Sequence, residues 1–132
     1  MTLGVRGLVR DGEGRVLLVK HTYTSGWHMP GGGVERGEAC EDALAREMVE
    51  EAGVELMDRP RLVSIHSSEA SFRGDHILFF EIRDWRPVKA TSRGEIAAVE
   101  WFAADALPGD VTAGTARRVG EILSGAPADP LW

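Results

Sequence analysis

The chain has 132 residues, 43% of them hydrophobic and 27% charged, the make-up of a single globular domain (1–132) with enough apolar material for a core. Its formal net charge of −6, from 15 Lys+Arg against 21 Asp+Glu, opposes an electrostatic grip on nucleic acid, so no such partner is expected. Val16-Leu17-Leu18-Val19 and Ile77-Leu78-Phe79-Phe80 are the long apolar runs at four residues, far short of the roughly 20 that span a membrane. Met1 to Arg6 lacks the apolar stretch of a secretory signal, and the one cysteine, Cys40, cannot form an intrachain disulfide. These features point to the cytoplasm.

In chain order, Leu3–Val9 reads as a strand in which Arg6 is the only charge. Asp11-Gly12-Glu13-Gly14 is a turn, and Val16–Val19 is a second strand, so the pair predicts a hairpin. Thr22–Gly33 is polar, glycine-rich and broken by Pro30, the pattern of a loop. Glu38–Ala52 has neither Gly nor Pro and predicts a helix, with Gly53 as its terminator. Leu62–Ser67, Ile77–Ile82 and Ile96–Phe102 predict strands. A turn is expected at Ser92-Arg93-Gly94 and a short helical turn at Asp105–Pro108. Thr112–Leu123 predicts a second helix, N-capped by Thr112 and ended at Gly125, with an extended tail from Ala126 to Trp132. Mixed strands and helices imply a mixed sheet with helices on its faces.

The first helix carries the chemistry. At about 100° per residue, Glu47, Glu50 and Glu51 fall within one arc beside an apolar stripe of Leu44, Met48 and Ala52. The carboxylates therefore follow the edge of the buried face. Like charges one turn apart cost a few tenths of a kcal/mol per pair, and a hard divalent cation offsets this. Arg46 has Glu50 at i+4 and Asp42 at i−4, and its planar fork can orient a carboxylate. Ahead of the helix, Gly31-Gly32-Gly33 permits close backbone approach to a metal or a phosphate.

Residues 32–54 resemble the Nudix box of the Nudix hydrolase family, of the MutT-like kind: G-x5-E-x7-R-E-U-x-E-E-x-G-U, with U a bulky apolar residue. Gly32, Glu38, Arg46, Glu47, Met48, Glu50, Glu51, Gly53 and Val54 fill every specified position. Trp27-His28-Met29-Pro30-Gly31 resembles the segment before the box, and Glu95–Pro108 a late strand and turn of that fold. The resemblance implies an α/β/α sandwich with a mixed curved sheet between helices. It implies metal-dependent hydrolysis of a nucleoside diphosphate linked to another group X, with Mg²⁺ or Mn²⁺ as cofactor. Glu47, Glu50 and Glu51 would bind metal, with the Gly31 carbonyl. Arg46 would orient a glutamate, and Glu38 would pair with Arg46. Gly32, Glu38 and Gly53 would be structural. A further acid outside the box often completes such sites; Glu95 is the candidate, with Asp75 and Glu69 as alternatives. The proton acceptor is either a helix carboxylate or Glu95.

For the other candidates the residues leave two readings each. Trp27 either stacks on a base or packs in the core. His28 is a loop histidine or touches substrate. Phe72 covers a nucleobase or packs. The partner expected is a small nucleotide, such as a (d)NTP, and a homodimer is open. A nucleotide-sensing module without catalysis and an enzyme of RNA 5′ ends are the other classes. The first would lack box carboxylates, and the second would favour basic clusters.

Overall fold

The computed structural model describes residues 1–92 and 94–132. Strand β1 (Thr2–Val9) organises it. On one edge β1 pairs parallel with β7 (Asp75–Ile82), and on the other antiparallel with β4 (Gly31–Gly33). β6 (Arg61–Ser67) adds antiparallel to β7, giving a mixed four-stranded sheet in the order β4-β1-β7-β6. β2 (Val16–His21) is the centre of an antiparallel sheet between β3 (Trp27–His28) and β9 (Ile96–Phe102). β5 (Val54–Leu56) and β8 (Trp85–Pro87) form a separate two-stranded ladder.

Successive strand residues face opposite ways. Val5 and Val9 of β1, Leu17 of β2, and Phe80 and Ile82 of β7 pack on Ala43, Leu44 and Met48. Those three residues belong to helix α1 (Cys40–Glu47) and the π-helical turn Met48–Ala52 that continues it. Their neighbours Leu8, Val16, Leu18 and Phe79 pack on the opposite side with Trp27, Met29 and Val119 of helix α2 (Ala113–Ser124). The strands are therefore buried on both faces between two helices, an α/β/α arrangement. Gly7 lets α1 approach: a Cβ there would stand 2.7 Å from Ile82 Cδ1 and 3.1 Å from Leu44 Cδ1.

Several local expectations change. The Asp11–Gly14 turn forms, but β1 and β2 do not pair as a hairpin ladder; the chain on either side of the turn meets at the Arg10–Val16 bridge and the Asp11 N–H bond to Arg15 O. Both edges of β1 are taken by β4 and β7, and Asp11 Oδ1 accepts from the Glu13 and Arg15 N–H groups, turning the chain toward the second sheet. The predicted loop Thr22–Gly33 contains β3 and β4. Glycines carry no strand propensity, yet Gly31, Gly32 and Gly33 pair with Arg6, Val5 and Gly4. The helix begins at Cys40 because Glu38 belongs to a turn, its N–H donating to Glu35 O. Gly53 ends it in the left-handed region at φ 64°. Asp105–Pro108 is a turn, with Ala106 N–H donating to Ala103 O, not a helix. Thr112 stands at the start of α2 without capping it; its hydroxyl donates to Thr115 Oγ1. The turn expected at Ser92-Arg93-Gly94 includes Arg93, outside the described residues.

The tail is extended and docked. Ser67 N–H donates to Pro130 O, Trp132 N–H donates to Ser67 O, and the Trp132 ring lies 5.2 Å from the Arg118 guanidinium carbon. Arg118 is fully buried and spends its donors on Glu121, on Leu131 O and on His66 Nδ1. Among the described residues no helix is long and apolar enough to cross a membrane.

Candidate active site

The glycine strand and the first helix meet at one cavity. Arg6, His21, Tyr23, Gly31, Gly32, Gly33, Glu47, Glu50, Glu51 and Glu95 line about 290 Å³. Glu47 is the last residue of α1, while Glu50 and Glu51 stand on the π turn, so the change of helical pitch falls between the carboxylates. Side-chain exposures differ: 14% for Glu47, 13% for Glu51 and 43% for Glu50.

Arg46 organises the acid cluster. Its Nε donates to Glu38 Oε2 at 2.8 Å and its Nη2 to Glu38 Oε1 at 3.0 Å, a fork on one carboxylate. Nη1 donates to Glu47 Oε1 at 3.0 Å and lies 3.5 Å from Glu50 Oε2, and Nη2 also reaches Gly33 O. Asp42 takes no part in these bonds. The hydrogen bond from Arg46, with one from the Glu35 backbone, holds the Glu38 carboxyl down to about 2. Glu38 in turn raises the Arg46 guanidinium above its usual value.

Glu47 is in the opposite situation. Burial, and then the charge of Glu51, push its carboxyl up to about 7, against the pull of Arg46. Its carboxylate rests on Gly32, where a Cβ would stand 2.6 Å from Glu47 Oε1. Glu51 accepts from the Gly31 N–H at 3.1 Å, and its other oxygen is 3.0 Å from His21 Nε2. Among the described residues no three side chains already converge as a ligand cage. The donor chemistry nonetheless suits a divalent cation. Glu47 and Glu50 lie at Arg46 while Glu51 turns to His21, and burial with the charge of Glu51 raises the Glu47 carboxyl, so a further positive charge there would favour its ionised form.

Of the acids outside the helix, Glu95 lines this cavity, and it lines an adjoining one with Glu50, Thr91 and Ser92. Asp75 lies elsewhere: its Oδ1 accepts from the Thr2 hydroxyl at 2.6 Å. Glu69 accepts from the Gly74 N–H and closes its own loop. Trp27 is 8% exposed and packs edge-on against Phe102, the core alternative. His28 and Phe72 border two neighbouring cavities, His28 in one of about 370 Å³ and Phe72 in one of about 240 Å³. Burial, then Arg6 and His21, push the His28 imidazole down to about 4. Gly53 serves geometry alone; a Cβ there would meet Val88 O at 2.6 Å.

Sequence reading missed His21, Tyr23 and Arg6 as cavity residues. Arg6 had a signal, as the only charge in its strand. His21 and Tyr23 follow the apolar run of β2, and only the fold brings them under the helix.

A glycine strand feeding a carboxylate helix, set at one end of an α/β/α sandwich, defines a pyrophosphohydrolase. The NUDIX domain model matches residues 1–120, and the chain belongs to that family. A "MutT-like protein" of Streptomyces ambofaciens is 30% identical over 95% of this chain and 79% of its own length. A "Putative 8-oxo-dGTP diphosphatase" of Bacillus subtilis is 26% identical over 95% of this chain and 82% of that protein. The crystal structure of a MutT NUDIX hydrolase from Burkholderia pseudomallei superposes with a TM-score of 0.77 at 28% identity, covering 92% of this chain and 97% of that one.

Proposed function

We propose that the chain hydrolyses the diphosphate linkage of a small nucleotide, a nucleoside or deoxynucleoside triphosphate foremost, with Mg²⁺ or Mn²⁺. The carrying observation is the cavity that gathers Glu47, Glu50, Glu51 and Glu95 around Gly31–Gly33. The Bacillus subtilis relative's description supports the triphosphate class.

Glu47, Glu50 and Glu51 would hold the cation, with Gly31 beside them. When bound, it neutralises phosphate oxygens and acidifies water. The rest falls to the protein. Arg46 fixes Glu47 and, through Glu38, ties the helix to the turn before it. The open backbone of Gly32 and Gly33 lets a phosphate approach the carboxylates. Water attacks phosphorus, the bridging P–O bond breaks, and the proton passes to a carboxylate. Glu50 and Glu95 are the acceptors within reach of solvent; both line the adjoining open cavity. A triphosphate would give a nucleoside monophosphate and pyrophosphate.

The test is phosphate and pyrophosphate release, with each metal and with none. The panel is (d)NTPs, an oxidised dGTP, NDP-sugars, ADP-ribose, dinucleoside polyphosphates and 5′-triphosphorylated RNA. Metal-dependent turnover of a triphosphate supports the proposal. Preference for RNA ends or NDP-sugars replaces the substrate class. Binding without turnover of any substrate sinks catalysis.

A further inference from the structure

Arg118 is buried in this fold and Arg6 is half-buried, and the two are used differently. Arg118 makes four hydrogen bonds, to Glu121, His66 and Leu131. Arg6 makes one, from Nη1 to Met29 O at 3.0 Å, and among the described residues it has no ion pair. A guanidinium has five N–H donors in a rigid fork. Half-burying one with most donors unused gives up part of its hydration, and a carbonyl tether alone does not call for an arginine.

The position of Arg6 supplies the missing partner. Among the described residues it alone lines all three of these cavities: the carboxylate cavity, the larger cavity with His28, Asp75, Arg117 and Trp132, and the third beneath Phe72. Gly31, opposite Arg6 in the β1–β4 ladder, lets the two backbones lie close; a Cβ at Gly31 would overlap Val5 O and approach Arg6 Cα. A nucleotide whose diphosphate is at the carboxylates and whose nucleoside is in a neighbouring cavity must pass this junction. What lies between the two parts is the phosphate attached to the nucleoside. Its nonbridging oxygens match a guanidinium fork in charge and in geometry.

We propose that Arg6 is a substrate-binding residue whose free N–H groups hold the nucleoside-linked phosphate at the junction of the three cavities. This rests on the nucleotide reading above and deepens it. Burial draws the Arg6 guanidinium below its usual value, and the charges of Glu51 and Glu47 oppose this without consuming its donors. After hydrolysis the same contact persists on the nucleoside monophosphate, so binding can be measured without metal and without turnover.

The experiment is calorimetric titration of metal-free wild type, R6M and R6K with AMP, GMP, CMP, UMP and the four matching nucleosides. Wild type should bind at least one monophosphate about tenfold more tightly than its nucleoside, and R6M should bring that ratio within about threefold while nucleoside affinity stays. R6K, which keeps stem and charge but loses the fork, should lie between and decides if R6M fails to fold. With a substrate that wild type turns over, KM should rise in both variants. An unchanged ratio in a folded variant overturns the proposal, as does a wild type with no preference for the phosphate. Turnover by wild type together with an unchanged ratio in R6M sinks Arg6 alone. Absence of wild-type turnover across the nucleotide panel sinks the underlying reading instead.

Discussion

The Glu47 carboxylate sits against the bare α-carbon of Gly32, so that a methyl group there would stand 2.6 Å from Oε1 and 2.7 Å from Cδ. Box glycine and box glutamate are thus one steric unit. Gly32→Ala should fold, because the obstructed atoms end a side chain, but Glu47 must swing away. A displacement near 1 Å in a reacting group costs on the order of 10²-fold in rate. Steady-state kinetics beside a thermal melt would separate the two effects. Wild-type turnover in Gly32→Ala would break the unit.

Glu50 is the most exposed of the three helix carboxylates, at 43%. Glu50→Gln keeps shape and removes charge, so stability should change by less than about 0.5 kcal/mol. Turnover should fall by ~10²–10⁴-fold. A folded Glu50→Gln enzyme with normal kcat would remove Glu50 from the chemistry.

Arg46 bonds Glu38, Glu47 and Gly33 together. Arg46→Met leaves these acceptors without their donor, and a loss of about 1–3 kcal/mol is expected from denaturant titration. Arg46→Lys should not restore it, since a point charge cannot span both Glu38 oxygens. Full stability in Arg46→Lys would show that charge alone suffices.

A cation held by Glu47, Glu50 and Glu51 stabilises the fold by mass action. At 100-fold excess over its Kd the gain is about 2.7 kcal/mol, seen as a rise in Tm of several degrees. Glu47→Gln should shrink the rise sharply. No rise with millimolar Mg²⁺ or Mn²⁺ would contradict the assigned ligands.

His28 gives the fold a pH dependence. Its imidazole is pushed from 6.5 to about 4 in the fold, so the unfolded chain takes up a proton at a higher pH than the native one. The stability it contributes is present above pH 6.5 and is lost as pH falls toward 4. The size is on the order of 2 kcal/mol after allowing for partial exposure. Glu47, raised to about 7, acts in the opposite sense in the same window. The readout is therefore the difference between wild type and His28→Gln, metal-free, at pH 7 and pH 4.5. A difference independent of pH would refute the assignment.

Legibility followed physical cause. The first helix could be read because its stripe of Leu44 and Met48 and its terminator Gly53 are local properties. β4 could not, since three glycines show no preference and become a strand only when β1 offers its edge. The π turn left no local mark, nor did the short ladder of β5 and β8. The carboxylates were legible as a spacing, but their unequal environments were not. Arg46 reaches Glu38 and Glu47, whereas Glu51 turns to His21, 30 residues earlier in the chain.

The two ends of the groove are encoded in different ways. The carboxylate end comes mostly from one stretch, Gly31 to Glu51, whereas the far cavity takes Asp75, Thr112, Arg117 and Trp132 from separate elements. The docked tail is thus a wall of the far cavity: the Trp132 ring lies over Gly114, which has no side chain to push it out. Chemistry is inherited as a block, and the opposite wall can drift one residue at a time. A library confined to Ser71, Asp75, Arg117 and Trp132 would explore altered ligand preference with the hydrolytic machinery left intact.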